Sequence, residues 1–106
     1  MTHLTTHVLD AARGIPAAGV AVSLRAASGD QIAAGQTDAD GRLALGPDLL
    51  APGDYALTFA TGAYFDAQGV DSFYPEATVT FRIRDDRHYH VPLLLSPFAY
   101  STYRGS

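Results

Sequence analysis

The chain has 106 residues, the length of a single domain, and 47% of them are hydrophobic, enough for one core. It contains no cysteine, which excludes disulfides, thiolate metal sites and cysteine nucleophiles. The net charge is −4 and the arginines form no basic stripe, so nucleic acid is not expected as a partner. The first residues contain neither a basic region nor a long apolar run, so we expect no signal peptide, no membrane partner and a cytoplasmic location.

The N-terminal half alternates between apolar and polar residues with period two, which predicts strands. The first strand, residues 4–10, places His7 on the same face as Thr5 and Leu9. Residues 11–16 contain the glycine and proline of a connection. Further strands are predicted at residues 20–24, 32–36 and 42–45, with turns at residues 28–30 and 38–41.

The C-terminal half continues this pattern with one interruption. Residues 55–59 and 77–83 alternate as strands, but residues 61–68 do not. That segment predicts a two-turn helix capped by Thr61, although Gly62 weakens it. Residues 88–95 predict a strand that breaks at Ser96 and Pro97 and returns antiparallel through residues 98–103.

Eight short strands at regular spacing and one short helix predict an all-β fold, an antiparallel two-sheet β-sandwich. A closed barrel is the alternative. No repeat or composition shift divides the sequence, so residues 1–106 are expected to form one domain.

Several polar residues in or near the predicted strands are candidates for metal binding or catalysis, but none of them identifies a site by itself. His88 and His90 lie two apart on a strand and face the same side, yet no third ligand is evident, so no metal is expected. Taken alone, His90 would be a buried histidine, His88 a solvated residue at the strand start, and Arg42 a surface charge. Neither Ser96 nor Ser101 lies in the glycine-flanked elbow of a nucleophilic serine.

Four segments of the chain carry a joint pattern that is more informative than any single residue. They are residues 6–10 (THVLD), 41–43 (GRL), 88–97 (HYHVPLLLSP) and 100–106 (YSTYRGS). Together they resemble the transthyretin-like 5-hydroxyisourate hydrolases, and the resemblance covers nearly the whole chain. The last four residues are the most specific signal, because the hormone-binding transthyretins of the same fold lack them and lack histidines at the positions of His7 and His90.

The resemblance implies a fold, an assembly and a reaction. Subunits of the sandwich would pair edge to edge into dimers, and two dimers would stack into a homotetramer with active sites in the channel between them. The implied reaction is hydrolysis of 5-hydroxyisourate to 2-oxo-4-hydroxy-4-carboxy-5-ureidoimidazoline, on the way from urate to allantoin, without a metal or other cofactor.

The resemblance also assigns residues to the active site. The implied catalytic residues are His7, Arg42 and His90, and the implied substrate-binding residues are Tyr103, Arg104, Gly105 and Ser106. Two histidines and an arginine fit cyclic amide hydrolysis, which needs an acid, a base and a positive charge. Which histidine is the base stays open. We expect Arg104 to provide a planar fork of donors and Gly105 to permit a bend that other residues make only at a cost.

Two other classes of function fit the same fold and therefore remain alternatives. One is a small-molecule carrier, whose pocket should be mainly apolar, and the other is a structural adhesion module, which needs no converging histidines.

Overall fold

The computed structural model describes residues 2–106, which form nine strands and one short helix. In chain order these are β1 (Leu4–Asp10), β2 (Ile15–Pro16), β3 (Ala21–Ala26), β4 (Gln31–Gln36), β5 (Arg42–Leu45), β6 (Gly53–Phe59), α1 (Thr61–Asp66), β7 (Ala77–Ile83), β8 (Tyr89–Ser96) and β9 (Ala99–Thr102). All eight predicted strands are present, and β2 is a two-residue addition within the segment expected to be only a connection. Among the described residues, no helix has the length and apolar character needed to cross a membrane.

The strands form two stacked sheets, which confirms the predicted sandwich. The first sheet has the order β2-β1-β8-β9, with β5 also paired to β1, and the second has the order β4-β3-β6-β7. One pairing departs from the expected antiparallel arrangement, because β1 and β8 run parallel from Leu4 opposite Tyr89 to Asp10 opposite Leu95. Six strands and the helix separate β1 from β8 in the chain. A connection of that length leaves the relative direction of the two strands unconstrained, whereas the tight turn after β8 forces β9 to be antiparallel.

Alternation along the strands places one side of each sheet in the core. Leu4 and Val8 of β1 and Leu93 of β8 are fully buried, as are Leu24 of β3 and Phe59 of β6 in the facing sheet. Burial of such side chains contributes about 1.5–3 kcal/mol each. The intervening residues of β1 and β8 face outward, so the outer face of the first sheet is available for chemistry.

The helix α1 is shorter than predicted and is not capped as predicted. Ala60 occupies the N-cap position without a side-chain hydrogen bond, so the expectation of a Thr61 cap is wrong. Thr61 is the first helical residue, and its hydroxyl donates instead to the carbonyl of Tyr74 at 3.3 Å. A Cβ on Gly62 would lie 2.8 Å from the carbonyl oxygen of Pro75, which explains a glycine that otherwise weakens the helix.

A buried carboxylate ties the helix to the end of β1. Asp10 is 1% exposed, and its two oxygens accept hydrogen bonds from the backbone N–H of Arg13 at 3.1 Å and the hydroxyl of Tyr64 at 2.9 Å. Burial, together with the hydrogen bond to Asp10, raises the pKa of the Tyr64 hydroxyl. Both carboxylate oxygens are therefore paired, as a buried carboxylate requires.

Candidate active site

Three of the sequence-predicted site residues lie side by side on the outer face of the first sheet. His7 in β1 is directly opposite Arg42 of β5 on one side and Pro92 of β8 on the other. Thr5, two residues earlier, is opposite His90 of β8. Residues in register on neighbouring strands project to the same face. The fold therefore groups His7, Arg42 and His90, although they are far apart in the sequence.

A cleft of about 570 Å³ opens on this face of the sheet. This volume falls within the range of about 300–1,000 Å³ that is usual for sites that bind small molecules. The cleft is lined by Thr5, Thr6, Gln36, Asp38, Arg42, Leu43, Ala44, His88, His90 and Ser106. His7 lies on the same face but outside the set of residues that line the cleft.

A tight loop before β5 positions Arg42 and fixes the proton of His7. The carboxylate of Asp38 accepts the backbone N–H groups of Asp40 at 2.8 Å and Arg42 at 3.0 Å. The bond from Arg42 is the main cause of the lowered pKa of Asp38. The carbonyl of Asp40 lies 2.9 Å from Nε2 of His7. A carbonyl only accepts, so this nitrogen carries a proton and Nδ1 is the nitrogen that remains for other contacts.

The Nδ1 edge of His90 is held by the hydroxyl of Thr5, which also contacts His88. The hydroxyl of Thr5 lies 2.8 Å from Nδ1 of His90 and also 2.8 Å from Nε2 of His88. Burial of the imidazole lowers the pKa of His90 from its usual 6.5, and the positive charges of His88, Arg42 and His7 lower it further. His90 is thus neutral at pH 7, and its Nε2 is the nitrogen left to meet a ligand.

The C-terminal segment joins the sheet beyond the end of β9. The backbone N–H of Gly105 donates to the carbonyl of His90 at 2.8 Å, and Ser106 then reaches the cleft. These two residues of the predicted substrate-binding group therefore lie at the site within a single chain.

The other two residues of that group point elsewhere in this chain. The guanidinium carbon of Arg104 lies 4.4 Å from the ring centre of Tyr89, which is a cation–π contact. Tyr103 and Arg104 line a second cavity of about 280 Å³ that also includes Phe81 and Val91. The structure therefore does not group them with His7, Arg42 and His90.

Sequence reasoning missed the contribution of Thr5 and the contact made by His88. His88 is exposed, as expected for a residue at the strand start, but its Nε2 is bonded to Thr5 and it lines the cleft. The only available signal was that Thr5 and His7 share a face of β1. Pairing of Thr5 with His90 depends on the parallel β1–β8 register, which local patterns do not reveal.

Residues 2–106 contain no group of three or more His, Asp or Glu side chains placed to hold a metal ion. The arrangement instead offers a neutral imidazole, a permanently charged guanidinium and a second imidazole with a fixed proton. These groups suit proton transfer and stabilisation of a developing negative charge.

Comparison with known proteins places this chain in a family. The family model described as the HIUase/Transthyretin family matches residues 4–105. The chain belongs to the HIUase/Transthyretin family. A relative in this family is the 5-hydroxyisourate hydrolase of Salmonella dublin, which is 50% identical over 109 residues, covering 97% of this chain and 80% of the relative.

Solved structures of the HIUase/Transthyretin family have the same fold as this chain. A 5-hydroxyisourate hydrolase from Klebsiella pneumoniae superposes with a TM-score of 0.92 at 43% identity, covering 100% of this chain and 94% of that one. A sea bream transthyretin, solved in complex with thyroxine, superposes with a TM-score of 0.89 at 38% identity, covering 97% and 94%. The same fold therefore occurs in a protein named as an enzyme and in a protein solved with bound thyroxine. The function of this chain must be argued from its site.

Proposed function

We propose that this protein hydrolyses 5-hydroxyisourate to 2-oxo-4-hydroxy-4-carboxy-5-ureidoimidazoline, a step from urate towards allantoin, without a metal or other cofactor. The observation that carries the proposal is the register that puts His7, Arg42 and His90 on one sheet face beside the cleft. The relatives named 5-hydroxyisourate hydrolase match almost the full length of the chain, which supports the same substrate.

His90 and Arg42 take the first step of the proposed reaction. His90 is neutral at pH 7 because its pKa is lowered, so its Nε2 accepts a proton from the attacking water. The hydroxide equivalent adds to the ring carbonyl, and negative charge develops on the carbonyl oxygen. Arg42 stays protonated at all relevant pH values, and its guanidinium stabilises that charge.

His7 completes the reaction by supplying a proton to the departing ring nitrogen. Its Nε2 proton is held by the carbonyl of Asp40, so His7 enters this step doubly protonated, and the proton that it gives up is the one on Nδ1. When the carbon–nitrogen bond breaks, this proton neutralises the departing nitrogen and opens the ring. The proton taken up by His90 then passes to His7, directly or through solvent, which leaves His90 neutral and His7 doubly protonated for the next cycle.

The C-terminal residues complete the site in different ways. Ser106 lines the cleft and contacts the substrate, while Gly105 bonds the segment to His90. Tyr103 and Arg104 act by holding these two residues in place, because in this chain they lie at the second cavity.

The protein is further proposed to form a homotetramer, a dimer of dimers. The first sheet has the edge strand β9 and the second sheet has the edge strand β7, and all four residues of β9 are exposed. Half-buried Leu9 and Leu94 on the outer face of the first sheet would be covered by a second dimer. Light scattering should give the tetramer mass at micromolar concentration, and a monomer would contradict this assembly.

The hydrolase proposal is tested by adding the purified protein to freshly generated 5-hydroxyisourate and following the ultraviolet decay. The native protein should accelerate the decay, and His90→Ala and His7→Ala should each lower turnover by about two to four powers of ten. Arg25→Ala, an exposed change on the other sheet, is the control and should leave the rate unchanged. Binding of the substrate without acceleration over buffer would indicate a carrier and remove the proposal.

A further inference from the structure

A single hydroxyl group joins two histidines at the edge of the cleft. Oγ1 of Thr5 lies 2.8 Å from Nδ1 of His90 and 2.8 Å from Nε2 of His88. Both distances lie at the short end of the range of about 2.7–3.2 Å for hydrogen bonds between nitrogen and oxygen. Within the described part of the chain, these two rings are the protein groups bonded to this oxygen.

The proton count at this hydroxyl restricts which nitrogens carry protons. A threonine hydroxyl donates one hydrogen bond, so it can donate to only one of the two imidazoles and must accept from the other. In the first arrangement, Nδ1–H of His90 donates to Thr5, and Thr5 donates to His88. In the second arrangement, Nε2–H of His88 donates to Thr5, and Thr5 donates to Nδ1 of His90. With both histidines neutral, the two arrangements contain the same number of protons.

The two arrangements leave the reactive edge of His90 in opposite states. In the first, the His90 proton is on Nδ1, and Nε2 presents a lone pair that can accept a proton. In the second, the proton is on Nε2, and this nitrogen can only donate. We propose that the Thr5 hydroxyl couples the protonation of His88 to the tautomer of His90, which makes Thr5 a positioning residue of the site.

Protonation of His88 selects the second arrangement. A protonated His88 carries hydrogen on both ring nitrogens, so its Nε2–H must donate to Thr5, and Thr5 then satisfies all three groups by donating to Nδ1 of His90. His88 is exposed, so its ring exchanges protons with solvent. The other titratable or charged side chains that face this pair are Arg42, Asp38 and His7. The catalytic consequence rests on the proposed function, in which His90 must accept a proton at Nε2.

The coupling itself can be measured without any turnover. In uniformly ¹⁵N-labelled native protein, the Nδ1 and Nε2 resonances of His90 should change tautomer with pH in step with the titration of His88. Thr5→Val keeps the β-branched shape but removes the hydroxyl, and His88→Ala removes the partner, so both should abolish this linkage. Thr5→Ser should restore it. A His90 tautomer that follows His88 equally well in Thr5→Val would overturn the proposal.

The kinetic consequence is a change in pH dependence rather than in substrate affinity. Thr5→Val should lower kcat by about tenfold, the scale of one lost hydrogen bond that orients a catalytic group, with little change in KM. It should also remove the part of the acid limb of kcat/KM that follows His88. Thr80→Val, an exposed threonine of β7 on the other sheet, is the matched control and should leave the profile unchanged.

The NMR titration and the kinetic pH profile together distinguish failure of the coupling from failure of the proposed function. If native protein does not hydrolyse 5-hydroxyisourate, the proposed function fails, while the NMR titration still decides the coupling. If native protein is active but Thr5→Val retains the native pH profile and the native His90 tautomer, the coupling is refuted and the proposed function stands.

Discussion

Gly105 lies so close to the imidazole of His90 that no side chain fits between them. The backbone N–H of Gly105 donates to the carbonyl of His90 at 2.8 Å. A Cβ at position 105 would lie 2.5 Å from Cδ2 of His90 and 3.2 Å from Cγ of Pro92. Gly105 is not among the glycines with positive φ, so the expected bend is not the reason for this glycine. The requirement is close approach, and it ties the C-terminal segment directly to a proposed catalytic residue.

Gly105→Ala should therefore impair catalysis more than stability. The added methyl group must displace the His90 ring, and a displacement of about 1 Å in a catalytic group can lower turnover by about a hundredfold. The expected result is a fall in kcat of that order, measured by the decay of 5-hydroxyisourate, with the assembly intact by light scattering. Ser101→Ala in the exposed strand β9 is the control and should be close to native.

A double-mutant cycle locates the clash at the imidazole. Thermal unfolding of Gly105→Ala, His90→Ala and the double variant gives the coupling between the two positions. The methyl group should destabilise the protein less once the ring has been removed. Equal effects in both backgrounds would show that His90 is not the side chain that excludes a Cβ.

The lowered pKa of His90 predicts an acid limb displaced towards low pH. As the proposed base, His90 must be neutral, and its pKa lies below the usual 6.5, so the part of the acid limb of kcat/KM that follows His90 should lie below pH 6.5. Arg42→Gln removes a nearby positive charge that opposes protonation of His90. The limb should therefore move to higher pH in this variant, whatever the loss in absolute rate. Arg42→Lys keeps the charge, and an equal movement of the limb there would contradict the electrostatic explanation.

Some of this fold and site could be predicted from local pattern, and some could not. Alternation in β1 and β7 and the turn after β8 depend on neighbouring residues, so their faces and the final hairpin were accessible from the sequence. The partner of β1 was not accessible, because a parallel pairing across more than eighty residues of sequence is fixed by packing of the whole sandwich. The bridge from Thr5 to His90 and the position of Arg104 over Tyr89 both depend on such tertiary placement.

Tyr64→Phe should destabilise the protein by leaving an oxygen of the buried Asp10 without its partner. The cost of an unsatisfied buried acceptor is about 1–3 kcal/mol, and Asp10 is 1% exposed. Urea unfolding should show a lower midpoint with an unchanged slope, and Tyr100→Phe, at a partly exposed ring on β9, is the matched control. A midpoint no lower than that of the control would mean that water or another donor replaces the tyrosine hydroxyl.

Ending the chain after Tyr103 should nearly abolish activity, whereas Arg104→Ala should not. The truncation removes the hydrogen bond from Gly105 to His90 and removes Ser106 from the cleft, so kcat should fall by about a hundredfold or more. Arg104→Ala removes only the contact with Tyr89, worth about 0.5–1 kcal/mol at an exposed position, and keeps the backbone pairing. We therefore expect a slightly lower thermal midpoint and only a few-fold loss of kcat.

The measurement compares the native, truncated and Arg104→Ala proteins for turnover, KM, tetramer content and thermal midpoint. A truncated tetramer with native turnover would show that the segment has no part in the site. A large rise in KM for Arg104→Ala, at native stability, would instead show that Arg104 binds the substrate directly.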